Sequence, residues 1–358
     1  MKEKVPVDLY DIVRRQLGSL EQWAGLNVET SELLNTIFEI LTSEALQRPA
    51  IPPFTGLAQI NPNGLPFQWS LCIDNKSPSL RFLCEAGVPG TSCKSRYRLS
   101  LEKLQEVCSL LNIPKLNWLN SLLRHAMPRE YEWPKDWFSA LWLAIGANQA
   151  GILVKIYLNI DAGDAFDRWK KIGMVLQSLG RQVSLQRLCD LSGKISRDSW
   201  PSGLAIDVLP NGMPGRVKAY FESAQVRYGW LTKWFKAVGL DDSIPYVEKM
   251  LDSFPYEKRA SYPEKAFFIS LEFLPGELMG LKADISVSQW MESDYRVFDA
   301  MNGFLHHIEL DDSQYIPWLK AMDAWPPSKS RCTTHQLVGF GLEPDGTYHV
   351  NVYCQPPI

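Results

Sequence analysis

Five short segments of the sequence place basic and phenolic residues at alternate positions. They are Arg81 in LRFLCE, Lys155 and Tyr157 in ILVKIYLN, and Arg216, Lys218 and Tyr220 in RVKAYF. Lys282 and Asp284 follow in LMGLKADI, then His349, Asn351 and Tyr353 in TYHVNVYC. If these segments are strands, alternate side chains share a face. Arg81, Lys155, Arg216, Lys218 and Lys282 are then five cations with few matching acids, which repel one another unless a polyanion completes the site. Unit charges about 4 Å apart interact by ~4 kcal/mol at an effective dielectric of about 20, so a diphosphate gains from several contacts together. Arginine grips phosphate oxygens through a planar fork, and lysine acts as a point charge. Tyr157, Tyr220 and Tyr353 add phenols that can hydrogen-bond an oxygen, and ring faces that stabilise a nearby cation by roughly 0.5–2 kcal/mol each. An anion clamp beside an aromatic cage suits an allylic diphosphate. Its C–O bond ionises, the cations hold the leaving anion, and the rings shield the allyl cation from water. An electron-rich acceptor then attacks, and a base removes the proton. His349 has two readings, as a contact to diphosphate or acceptor or as a hydrogen-bonded wall residue.

The elements that must position these side chains repeat along the chain. Each basic segment is the return strand of a hairpin: QWSLCID before LRFLCE, FSALWLAI before ILVKIYLN, LAIDVL before RVKAYF, AFFISLEF before LMGLKADI, and HQLVGFGL before TYHVNVYC. The turns between them carry the Gly, Pro, Asn or Asp of hairpin connections. Successive return-strand markers, Arg81, Lys155, Lys218, Lys282 and Tyr353, lie 63 to 74 residues apart. The intervening sequence is helical. Residues 1–51 read as two further helices packing on the body of the protein, the second with a Leu33, Leu34, Ile37, Phe38, Leu41 stripe and Thr30 or Ser31 as N-cap. The fold class is α+β: a closed ten-stranded antiparallel barrel of five αα-ββ repeats, ringed by helices, over residues 52–358. Closure removes exposed strand edges, and ten strands leave a central chamber. The apolar strand faces pack on the helices and the cationic faces turn inward. The competing reading is a sheet whose polar face meets water.

Composition narrows the setting. With 46% hydrophobic and 22% charged residues the chain is globular, and a net charge of −3 provides no general basic field for a polyanion, so any phosphate-binding cations must be local. The seven cysteines form no CxxC pair and suit reduced thiols in the cytoplasm. The N-terminus has no apolar core of a signal peptide, and the most apolar stretch, Trp137 to Leu158, is interrupted by Gly146, Asn148, Gln149 and Gly151. The expectation is a cytoplasmic protein with no membrane and no nucleic-acid partner. Thirteen tryptophans permit either a large core or an aromatic-lined chamber.

The order QWSL, SLRFLCEAG, VKIYLN, GRVKAYFES and NVYCQP resembles the ABBA, or PT-barrel, aromatic prenyltransferases from about residue 52 to the end. That superfamily includes the dimethylallyltryptophan synthase-like enzymes and the cyanobactin peptide prenyltransferases. The resemblance implies that Arg81, Lys155, Tyr157, Arg216, Lys218, Tyr220 and Tyr353 bind a prenyl diphosphate. Lys282 and Asp284 stand where the family has a polar residue and a tyrosine. Gln68 stands where the indole enzymes have a glutamate that contacts the indole N–H; it can accept that hydrogen bond but cannot take a proton at neutral pH. Glu85, Asp207 and Asp284 are candidate bases. Glu85 is preferred, with a simple Arg81–Glu85 ion pair as its other reading. The resemblance also implies that no cofactor is required and that Mg²⁺ is dispensable or only an enhancer; the sequence has no DDxxD motif.

The implied function is transfer of a dimethylallyl or geranyl group to an electron-rich aromatic acceptor, with an indole or tryptophan derivative the leading class. A peptide prenyltransferase acting on a cyclic peptide is the alternative within the fold. A nucleic-acid binding protein or a non-catalytic isoprenoid-diphosphate binder is the alternative outside it. Asp161, Asp164 and Asp167 could hold Mg²⁺, but acids at a helix start more often complement its dipole. Gly339-Phe-Gly341 precedes a strand and is not a dinucleotide loop.

Overall fold

A computed structural model describes residues 8–357 apart from 49–59, 62–63, 75–77, 88–90, 129–132, 134–136, 138, 182–184, 187, 189, 192–198, 224–227, 257–261, 263–264, 275–276 and 344. Ten strands pair antiparallel in sequence order: β1 (Phe67–Ile73), β2 (Leu80–Cys84), β3 (Leu141–Asn148), β4 (Gly151–Asn159), β5 (Ser199–Val208), β6 (Pro214–Ser223), β7 (Phe267–Leu274), β8 (Glu277–Ile285), β9 (His335–Leu342) and β10 (Tyr348–Cys354). β1 also pairs with β10, with Ser70 opposite Tyr353 and Cys72 opposite Asn351, so the sheet closes into a barrel. The five hairpins are those expected from the sequence, and closure leaves no edge strand to pair with another chain.

Alternation decides which side chains face the helices. In β1, Phe67, Trp69, Leu71 and Ile73 are buried outward, while Gln68, Ser70 and Cys72 face the interior cavities. The described α-helices form the outer ring: α1 (Leu9–Ala24), α2 (Val28–Leu46), α3 (Cys93–Leu110), α4 (Asn117–Ala126), α5 (Ala165–Ser178), α6 (Tyr228–Ala237), α7 (Ile244–Ser253), α8 (Asp294–His307) and α9 (Tyr315–Ala321). Phe38 of α2 meets Phe67 and Phe82 edge-on at 6.0 Å, and Phe67 meets Trp69 at 4.7 Å. Such aromatic pairs each add about 0.5–1.5 kcal/mol beyond their burial. Gln16 of α1 accepts from Trp69 Nε1 at 2.9 Å and donates to Met322 O at 3.0 Å, joining both ends of the chain to β1.

One sequence expectation changes here, and one left open is decided. The second helix starts earlier than its apolar stripe suggests: Asn27, not Thr30 or Ser31, is the N-cap, and its side chain accepts from Thr30 N at 2.8 Å. Asn27 combines an extended backbone with an oxygen that reaches the free N–H of the first turn. The tryptophans mostly serve the layer between barrel and helices: Trp69, Trp230, Trp234 and Trp318 are buried there, while Trp142 lines the interior.

The entry into β9 is fixed by one carboxylate. Asp294 accepts from the backbone N–H groups of Thr333, Thr334 and His335 at 2.9, 3.0 and 2.9 Å. It also bonds His335 Nδ1 at 2.8 Å, and Tyr315 Oη lies 2.7 Å from His335 Nε2. Among the described residues no helix is long and apolar enough to cross a membrane.

Candidate active site

The barrel encloses two cavities, stacked along its axis. The first, about 280 Å³, lies at the hairpin-turn end, where the return strands begin. Arg81 of β2, Lys155 of β4, Arg216 and Lys218 of β6, Lys282 of β8 and His349 of β10 all line it. The second, about 330 Å³, lies at the end where the return strands finish, and Gln68, Trp142, Leu204, Phe268 and Leu337 contribute to its wall. Leu83, Tyr157, Tyr220, Lys282 and Tyr353 border both cavities, forming a layer between them. The parity read from each return strand therefore converges on one interior. That convergence requires closure, since the five cations come from four strands spread around the barrel.

The five cations are more fully matched by acids than the sequence suggested. Lys155 Nζ lies 3.1 Å from Asp207, and Arg216 Nε donates to the same carboxylate at 3.2 Å. Arg216 Nη1 also donates to Glu272 at 2.6 Å, and Lys218 Nζ donates to the other oxygen of Glu272. Lys282 pairs with Asp284 at 2.8 Å and donates to Tyr353 Oη at 2.6 Å, with its ammonium 4.9 Å from the Tyr353 ring centroid. The alternation of the return strands carries no signal for Glu272. It belongs to the outgoing strand β7, where Phe268, Ser270 and Glu272 share one face of FISLEF. Among the described residues, five cations line this end, with Asp74 and Glu343 the carboxylates in the cavity wall itself, while Asp207, Glu272 and Asp284 are bonded to the cations.

Burial and mutual repulsion set the protonation of the wall. Burial, followed by the charges of Arg216, Lys155 and Lys282, holds Lys218 well below the ordinary lysine value. Burial acts to lower Lys282 as well, but Asp284 and Tyr353 outweigh it and hold the ammonium above that value. Burial would raise Asp207, but Lys155 and Arg216 keep it below the ordinary carboxylate value. Burial raises both Tyr220 and Tyr353, so each remains a neutral phenol at working pH. His349 is driven down to about 2 by burial and then by Lys218, Lys282, Arg81 and Arg216. It is therefore a neutral imidazole and adds no charge to the clamp. The two glycines of Gly339-Phe-Gly341 make room for this wall. A Cβ at Gly339 would collide with Asp284 Oδ1, and one at Gly341 with the His349 ring.

Gln68 lines the second cavity, and its Nε2 donates to Asn61 Oδ1 at 3.1 Å, which leaves the amide oxygen as the acceptor for a ligand. Glu85 is a correction. It is 2% exposed and pairs with Arg96 of α3 at 2.8 Å, and it appears in the wall of neither cavity. β2 ends at Cys84, so Glu85 lies beyond the last paired residue and meets a helix. Nor does it pair with Arg81, whose Nε donates to Ser79 Oγ at 2.9 Å. The carboxylates that do line the second cavity are Asp161, Glu222 and Asp284. Glu222 continues the Arg216, Lys218, Tyr220 alternation by one step, a signal present in the sequence. Asp164 is the N-cap of α5, accepting from Asp167 N at 2.9 Å.

The sequence matches no family model and no curated protein. Solved structures do match it along nearly the whole chain. The 5-dimethylallyltryptophan synthase from Streptomyces coelicolor is 19% identical, with a TM-score of 0.80 and 98% of each chain covered. The 6-dimethylallyltryptophan synthase from Micromonospora olivasterospora, solved in complex with DMASPP and Trp, is 18% identical, with a TM-score of 0.81 and 98% of each chain covered. AnaPT from Neosartorya fischeri is 14% identical, with a TM-score of 0.76 over 98% of this chain and 95% of that one. The chain thus has the ABBA, or PT-barrel, fold of these proteins.

Proposed function

We propose that this chain is an aromatic prenyltransferase that moves a dimethylallyl or geranyl group from its diphosphate to an indole-bearing acceptor. The observation that carries this reading is the division of one barrel into a cationic cavity and a less polar one, with Tyr157, Tyr220 and Tyr353 between them. The solved dimethylallyltryptophan synthases that share the fold, with DMASPP and Trp bound, support the same reading. A nucleic-acid role finds no support, because the basic and phenolic side chains point into a closed barrel where a polynucleotide cannot lie.

In this reading the diphosphate occupies the first cavity, bound by Arg81, Lys155, Arg216 and Lys218, with its allyl group directed to the tyrosine layer. The C1–O bond breaks and its electron pair leaves with the diphosphate. Fixed cations stabilise that developing charge without reorganising. The rings of Tyr157 and Tyr220, 6.0 Å apart, and of Tyr353 face the allyl cation. The indole lies in the second cavity, its N–H donated to Gln68 Oε1, and one of its carbons forms the new C–C bond. The ring proton then passes to Asp284, whose contact with Lys282 and, through it, Tyr353 places a carboxylate beside the layer where bond formation occurs. The bound cations perform the charge neutralisation that a metal would supply, so Mg²⁺ is dispensable or at most an enhancer. The six described cysteines are unpaired, which suits a cytoplasmic setting.

The test is mass spectrometry after incubating the purified protein with dimethylallyl or geranyl diphosphate and a panel of indoles, tyrosine and cyclic peptides, with EDTA or Mg²⁺. A gain of one prenyl unit on an indole that survives EDTA is the expected result. Saturable diphosphate binding without product on any acceptor would reduce the protein to a binding barrel, and failure to bind diphosphate would overturn the reading.

A further inference from the structure

The charge on the wall of the second cavity limits which indoles it can take. That limit rests on the prenyltransferase reading and goes beyond it. Three carboxylates line the cavity, Asp161, Glu222 and Asp284, against two cations, Lys265 and Lys282. Lys282 is committed to Asp284 at 2.8 Å and to Tyr353. Lys265 stands at the rim with its side chain about half exposed, 3.9 Å from Glu222. Nearby Arg168 donates to Gly163 O at 3.1 Å and lies over the Trp200 ring, outside the cavity wall. Among the described residues, therefore, no buried cation is left to receive a carboxylate in this cavity. The acids are differently placed. Asp161 Oδ1 is buried with no hydrogen-bond partner among the described residues, and Glu222 is 7% exposed. A buried acceptor oxygen without a donor is costly until a ligand supplies one.

We propose that the acceptor is an indole with no free carboxylate, whose side chain offers N–H donors, as an amine or amide, to Asp161 and Glu222. A free α-carboxylate would enter a wall of like charge with no buried cation left to receive it, a cost that the donors of tryptophan's own α-ammonium do not remove. An amide or ammonium group satisfies both acids. The cavity thereby discriminates against free tryptophan, although the dimethylallyltryptophan synthases that share the fold have been solved with Trp bound.

The experiment compares kcat/KM for L-tryptophanamide, tryptamine, L-tryptophan and indole-3-propionate with dimethylallyl diphosphate. The amide and the amine should exceed tryptophan by about tenfold or more, a like charge a few ångströms away being enough for that ratio, with indole-3-propionate last. Asp161→Asn and Glu222→Gln should each narrow the gap by improving the acids relative to the amide. Equal or better use of tryptophan by the unmodified protein overturns the proposal, as does selective loss of tryptophan turnover in Lys265→Gln. If no indole is alkylated, the prenyltransferase reading fails separately, and calorimetric binding decides the point. Binding of tryptophanamide but not indole-3-propionate supports the carboxylate-free acceptor, while equal, reversed or absent binding of the two overturns it.

Discussion

Lys218→Met removes one charge from the cationic cavity while keeping an unbranched apolar stem of similar length. Lys218 is 7% exposed and donates to Glu272, which also receives Arg216 Nη1 at 2.6 Å. Without Lys218, Glu272 is bonded by Arg216 alone, and the cavity wall has one cation fewer. A lysine about 4 Å from a diphosphate oxygen is worth up to ~4 kcal/mol at an effective dielectric of about 20. Since Lys218 divides its donors between Glu272 and the ligand, roughly half of that is lost, about 2 kcal/mol, or about 30-fold in Kd. Isothermal titration with dimethylallyl S-thiolodiphosphate at fixed ionic strength measures it, with thermal unfolding as the control for the fold. The pH dependence supplies a second arm. Burial and neighbouring cations hold Lys218 well below the ordinary lysine value, and its protonated form binds the anion. Affinity should therefore fall as pH rises through the Lys218 value, and Lys218→Met should flatten that limb. A properly folded variant that binds within about threefold of the parent, with the limb unchanged, would refute the placement of the diphosphate against Lys218.

Two further outcomes follow from other parts of the structure. Glu85→Gln removes the carboxylate charge that Arg96 meets at 2.8 Å in a buried pair and should destabilise the protein by about 3 kcal/mol in denaturant titrations, with kcat little changed; a large loss of kcat in a stable variant would restore Glu85 as a base. Asp294 is opposed by burial but bonded to His335 and to backbone N–H groups, which bring its carboxyl down to about 2. A carboxyl depressed on folding stabilises the protein above its unfolded value near 3.8 and loses that contribution as pH falls through about 2, an effect of roughly 2 kcal/mol. Asp294→Asn should therefore be less stable at pH 7, with the gap to the parent closing between about pH 4 and pH 2; a gap that stays constant with pH would show that the charge is not what matters.

Much of this molecule is determined by the sequence itself. The five hairpins were legible because their turns carry the required Gly, Pro, Asn and Asp, and because β-strand alternation has a period of two that survives without any homologue. The same alternation assigned Arg81, Lys155, Tyr157, Arg216, Lys218, Tyr220 and Tyr353 to one face, and their positions in the cavity walls bear out that assignment. What the sequence could not provide is which groups from different strands meet. Glu272 neutralises Lys218 and Arg216 although 54 and 56 residues separate them, a contact set by the pairing of β6 with β7. Glu85 has the parity of Arg81 and lies only four positions away, yet β2 ends between them and an arginine from α3 takes the carboxylate. The separation into a cationic and a less polar cavity likewise arises only on closure, when Tyr157, Tyr220, Tyr353 and Lys282 from four strands come together across the barrel. Local periodicity is encoded residue by residue, whereas charge pairing and cavity boundaries depend on distances across the barrel that only the tertiary fold fixes.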